Sequence, residues 1–159
     1  MAMSYWKWEP AFSVGIAVID DQHKRIIEYI NELGTISIYH DKEKVRTVLL
    51  ALMDYTVSHL AFEESLMEEA GYAKLDAHKQ IHLAFIERIH FFQERYDSGE
   101  DISKQLMMDL QMWLINHIQH DDTDYKEVVL AMLQKKQIAP MESHTKDGWL
   151  APLLDKFFK

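Results

Sequence analysis

Residues 117–125 read His-Ile-Gln-His-Asp-Asp-Thr-Asp-Tyr (HIQHDDTDY). They follow an apolar series at helical spacing, Leu106, Leu110 and Trp113, and His117 stands where the next core residue is due. The acid five positions further on, Asp122, does not fit a regular helix. Five residues turn through about 500°, which would leave Asp122 about 140° away from His117. His120 and Asp121, at i+3 and i+4, are the neighbours a regular helix would offer. Spacing alone favours Asp121; Asp122 can share the face of His117 only if the helix unwinds locally.

Working upstream, three more segments carry imidazole or carboxylate on an otherwise apolar stripe. The first, expected over 21–37, has Ile19, Ile26, Ile27, Ile30 and Leu33, with His23 on the same face. Asp20 or Asp21 is its candidate N-cap, and Gly34 with the polar turn at His40-Asp41 is expected to end it. The second, over 42–70, runs Val45, Val48, Leu52, Tyr55, His59, Glu63, Leu66 and stops at Gly71. The third, over 74–96, runs Leu75, His78, His82, Phe85, Ile89, Phe92. The fourth starts near Ile102, capped by Asp101 or Ser103, and resumes after Asp122 to about Lys136. Four amphipathic helices with short links predict an all-α, up-down-up-down four-helix bundle over residues 1–136.

Two segments flank the bundle. An irregular N-terminal arm has Trp6, Trp8 and Phe12 to pin it, with Pro10 and Gly15 breaking any helix. Residues 137–159 form a C-terminal helical extension in which Pro140, Gly148 and Pro152 interrupt the chain. Its short amphipathic helix is expected over 152–158, with Pro152 at the first position. Leu153, Leu154, Phe157 and Phe158, with Trp149 and Leu150 just ahead, are too apolar to be left in water. They imply packing on the chain's own bundle, self-association or a protein partner.

The bulk numbers agree and narrow the function classes. The 159 residues suit one core. A net charge of −9 argues against nucleic acid as a partner. The absence of cysteine removes disulfides, thiolate metal sites and thiol nucleophiles, and is compatible with a reducing compartment. No stretch approaches the ~20 apolar residues of a membrane span, and the first residues lack the apolar run of a signal peptide, so a cytoplasmic location is expected.

The outlying count is nine histidines. His23, His59, His78, His82 and His117, with Glu63, occupy inward positions on all four helices. A buried imidazole left unsatisfied costs about 1–3 kcal/mol, and a buried carboxylate more. A single histidine on an apolar face is usually a hydrogen-bonded core residue, but that reading would have to hold on four helices at once. His59 and Glu63 are at i, i+4, as are His78 and His82, so each pair can close on a metal. Imidazoles with carboxylates suit iron, copper, nickel or zinc rather than magnesium or calcium, and the set is too large for one tetrahedral ion. Two bridged metals would use it fully, with iron the favoured occupant. His40 and His144 read as surface residues. Glu87 and His90 form a single Glu-x-x-His off the stripe and are set aside.

These residues carry a resemblance. SVGIAVIDDQHK around His23, the His-x-x-x-Glu of His59 and Glu63, GYAKLDAHKQIH around His78 and His82, and WLINHIQHDDTDY resemble the hemerythrins, most closely the single-domain bacterial ones. The similarity runs from about Trp8 to about Glu127. It implies that His78, His82 and His117 hold one iron, that His23 and His59 hold a second with an open position, and that Glu63, Asp122 and an oxo or hydroxo group bridge them. It places Asp122 and Tyr125 in the family pattern, against the geometric preference for Asp121. It implies reversible binding of dioxygen at the open position, for storage, delivery or buffering, without enzymatic turnover. Ile26, Trp113, Leu114 and Ile118 are the implied pocket, a dry wall that would keep water and protons from stranding the centre as ferric iron. A sensor relaying the state of the irons to a partner is the alternative; a di-iron oxidase, peroxidase or nitric oxide-handling enzyme is a third, disfavoured by so histidine-rich a set. The polar turn around Asp122 and the length of the tail depart from the short family pattern.

Overall fold

The computed structural model describes residues 5–39, 41–137, 139–140 and 150–158, with side chains left out at 121–123 and 150. His40, His144 and Trp149 lie outside the described residues, as do the side chains of Asp121 and Asp122. Every regular element among the described residues is helical: α1 (Ala17–Ser37), α2 (Lys42–Ala70), α3 (Leu75–Asp97), α4 (Ser103–Asn116), α5 (Thr123–Lys135) and α6 (Leu150–Phe157). A 3-10 turn, Pro10–Phe12, precedes α1, and a π-helical turn, His117–Asp122, joins α4 to α5. The α4–π–α5 run forms the fourth rod of an up-down-up-down bundle. Helix α1 packs on α2 and α4, and α2 on α3, α5 and α6.

The core is the meeting of the predicted stripes. Ile19, Ile26, Ile30 and Leu33 of α1 face Leu49, Leu52 and Leu66 of α2, Phe85 and Ile89 of α3, and Leu106, Leu110 and Leu114 of α4 in one apolar cluster. Three expected core positions, Tyr55, Leu75 and Trp113, are only half-buried. Tyr55 gives way to Thr56 on the buried face of α2, and Trp113 to Leu114 on α4. Gly71 ends α2 in the left-handed conformation, φ 71°, where its lack of Cβ removes the steric cost. The amides of Gly71 and Tyr72 then return to Glu68 O and Met67 O.

Helix starts depart from expectation where tertiary contacts claim the capping acid. Helix α1 begins at Ala17, with Ile16 as N-cap, and runs through Gly34 to Ser37. Neither Asp20 nor Asp21 is the cap. Asp20 is buried in the first turn and accepts from Ser13 Oγ at 2.6 Å and from the Val14 amide at 2.9 Å, so it clasps the arm. The arm is clasped again where Asn31 exchanges two hydrogen bonds with the Trp6 backbone, at 2.9 and 2.8 Å. At α4 the N-cap is Ile102, neither Asp101 nor Ser103, and Asp101 accepts from the Ser103 amide at 3.2 Å from one residue further out.

Helix α6 starts at Leu150, so Pro152 is its third residue rather than its first. That is still the first turn, where a missing N–H leaves no bond unmade. The helix lies on α2 of its own chain: Phe158 packs on Phe62 and Tyr55, at centroid separations of 5.8 and 5.0 Å, and Phe157 meets Phe62 edge-on at 6.4 Å. Burial there pushes the Tyr55 hydroxyl up to about 12.

Candidate metal centre

Helical spacing delivers the polar side chains to one level of the bundle. His59 and Glu63 project together from α2, His78 and His82 from α3, His23 from α1, and His117 from the first position of the π turn. All are buried, none more than 3 % exposed. They fall into two groups. Ligand-capable atoms of Glu63, His78, His82 and His117 all lie within 4.8 Å of one another, and so do those of His23, His59 and Glu63.

Glu63 belongs to both groups, and the two ends of its carboxylate are used differently. Oε1 faces His59 Nε2 at 2.5 Å and His117 Nε2 at 3.1 Å, one imidazole from each group. Oε2 accepts from the Tyr125 hydroxyl at 2.9 Å, and Tyr125 is itself fully buried. Burial pushes the Glu63 carboxyl up, but the His59 and His117 imidazoles outweigh it and hold the group well below the usual range. Glu63 is therefore an anion in the core, where desolvation is tolerable only beside compensating positive charge or a metal.

The donor set fits a transition metal. Imidazole nitrogen and carboxylate oxygen are donors suited to iron. The Nε2 atom of His82 is buried with no hydrogen-bond partner among the described residues, the arrangement a ligand atom requires. Its Nδ1 faces Glu64 Oε1 at 3.4 Å, at the partly exposed edge of the bundle. The indole of Trp113 is sandwiched between the rings of Phe85, 3.7 Å away, and His117, 4.4 Å away, which braces the His117 imidazole. Ile26, Leu114 and Ile118 are buried, whereas Trp113 is half-buried.

Six of the seven residues expected as ligands are thus brought together. The seventh, Asp122, is placed only by its backbone, at the end of the π-helical turn that starts at His117. An i→i+5 turn takes one more residue than an α turn, so position 122 holds the place relative to 117 that position 121 would hold in a regular helix.

Two neighbours were passed over in the sequence. Gln22 Oε1 lies 2.6 Å from His59 Nδ1, and Glu64 approaches His82. Gln22 carried a readable signal, because Ile19, Gln22 and Ile26 share the buried stripe and a glutamine there needs a partner. Glu64 carried none, since an acid on the rim of a helix is ordinarily solvated.

Comparison with known proteins agrees with this geometry. Residues 14–129 match the family model described as the hemerythrin HHE cation binding domain. The chain is 44% identical over 156 residues to a bacteriohemerythrin of Stenotrophomonas maltophilia, covering 98% of this chain and 99% of that one. It is 39% identical over the same coverage to bacteriohemerythrins of Pseudomonas aeruginosa. The C-terminal extension is therefore shared with these relatives. A crystal structure of wild-type hemerythrin superposes with a TM-score of 0.75 at 29% identity, over 79% of this chain and 98% of that chain. No helix among the described residues is long and apolar enough to cross a membrane. The matched region takes in all six clustered side chains, and the chain belongs to the hemerythrin family, whose members bind dioxygen at non-haem iron.

Proposed function

We propose that this chain binds dioxygen reversibly at a pair of irons, as a carrier or buffer rather than an enzyme. The observation that carries the count of two is Glu63, the shared member of two otherwise separate ligand groups. His78, His82 and His117 would hold one iron and His23 with His59 the other, with Glu63 bridging. Asp122 would be the second bridging carboxylate, supported by the π turn that restores its register with His117. A ferrous pair would supply the electrons that dioxygen borrows on binding and returns on release.

The chain's own residues do the rest. The unequal split, three imidazoles against two, leaves room for an outside ligand on the His23–His59 side. Ile26, Leu114 and Ile118 would wall that side and keep water out, with Trp113, its two faces taken by Phe85 and His117, at the His117 end. None of these four carries a titratable side chain, so the pocket offers no acid or base for turnover, which favours binding over catalysis. Tyr125 holds Glu63 from the opposite oxygen. The reading includes a cytoplasmic location, supported by a chain without cysteine and testable by fractionation. It takes residues 137–159 as an extension that spends its apolar face on α2 of the same chain rather than on a partner.

The test is spectroscopic. Anaerobic loading with ferrous iron followed by air should produce a visible charge-transfer band that fades under vacuum and returns with air. A band that forms once and never reverses would point to an oxidase or a sensor. Absence of bound iron would end the assignment.

A further inference from the structure

We propose that Gln22 is a positioning residue for the metal centre, its amide oxygen fixing the tautomer and rotation of His59 so that Nε2 serves as the ligand atom. The inference rests on the two-iron reading above. The contact is 2.6 Å from Gln22 Oε1 to His59 Nδ1, between residues 37 apart on α1 and α2. Gln22 is 3 % exposed and His59 is fully buried, so water does not compete for it.

An amide oxygen can only accept, so the proton of the ring is held on Nδ1. That leaves Nε2, the atom that faces the shared carboxylate at 2.5 Å, as the nitrogen available to a metal. Because the acceptor comes from a neighbouring helix, it also sets the angle of the ring about its own bond. A free imidazole could offer either nitrogen to a metal; with Nδ1 held by Gln22, Nε2 is the one left to offer.

The chemistry of the partner matters as well as its position. On the three-imidazole side, Glu64 Oε1 lies 3.4 Å from His82 Nδ1 without a hydrogen bond between them. On the two-imidazole side, His59 faces a neutral amide. A carboxylate draws the Nδ1 proton and makes the ring a stronger donor, and an amide does so less. With Gln22 as its partner, the His59 ring is not strengthened as a donor in the way a carboxylate partner would strengthen it. That keeps the iron on this side electron-poor and favours the ferrous state needed before dioxygen arrives.

The experiment compares the full chain with Gln22→Leu and Gln22→Glu, each titrated anaerobically with ferrous iron against a chelator. Gln22→Leu should bind one equivalent as the unaltered chain does and the other about 10–100-fold more weakly. Gln22→Glu, which keeps the acceptor and adds charge, should restore tight binding and lower the midpoint potential of the centre. Equal affinity for both equivalents in Gln22→Leu, or a Gln22→Glu midpoint no lower than that of the unaltered chain, would overturn the proposal. If Gln22→Leu fails to fold by circular dichroism, the Gln22→Glu midpoint decides alone. An unaltered chain that takes up only one equivalent would instead overturn the two-iron reading, leaving the two failures distinguishable.

Discussion

The hydroxyl of Tyr125 donates to Oε2 of Glu63 across 2.9 Å, from the helix that follows the π turn to the helix that carries two of the clustered side chains. Both side chains are fully buried. The bond joins α2 to α5 at the level of the metal centre and steadies the one carboxylate common to both ligand groups.

Removing that hydroxyl should be costly out of proportion to its size. In Tyr125→Phe the ring still fills its place, but Oε2 loses its donor inside the core. Leaving such a group unsatisfied costs about 1–3 kcal/mol. Urea unfolding of the metal-free chain should show a midpoint lowered accordingly, with an unchanged slope. A midpoint within error of the unaltered chain would mean that Glu63 finds another donor.

The competition between two adjacent acids is settled by a pair of substitutions. Asp122→Ala should abolish stable binding of the iron pair, and Asp121→Ala should leave iron content unaltered, as measured by metal analysis after gel filtration. The reverse pattern would show that the π turn does not bring position 122 into the site.

Alkaline titration reports on the docking of α6. The Tyr55 hydroxyl is raised to about 12 by burial, against 10.0 for an ordinary tyrosine. A folded-state value above the unfolded one contributes stability that is fully present below about 10 and is lost as pH rises through about 12. The stability of the chain should therefore fall across that window, less steeply in Tyr55→Phe. Replacing both Phe157 and Phe158 by Ala should bring the phenolate absorbance of Tyr55 in at lower pH, while leaving the oxygen spectrum in place. An unmoved titration would mean that α6 does not shield Tyr55.

Local periodicity was enough for the four rods and for the six side chains that meet in the buried cluster. A buried face recurs every three to four residues whatever it packs against, so His59, Glu63, His78, His82 and His117 betray themselves as polar residues in apolar positions. The π turn was visible as a conflict, His117 and Asp122 being out of step in a regular helix, but its resolution was not. Whether a helix overwinds or unwinds depends on what its end must reach. Contacts between helices were less legible still. Asp20 looked like a cap and instead clasps the arm at Ser13 and Val14. Gln22 drew no notice beside His23 and faces His59 on another helix. The extension looked equally ready for a partner or for its own bundle, and lies on Phe62 and Tyr55. In each case the side chain can satisfy its hydrogen bonds or bury its surface in several ways. The choice among them is made by which helix stands opposite, a relation between residues far apart in the chain that pattern along it does not encode.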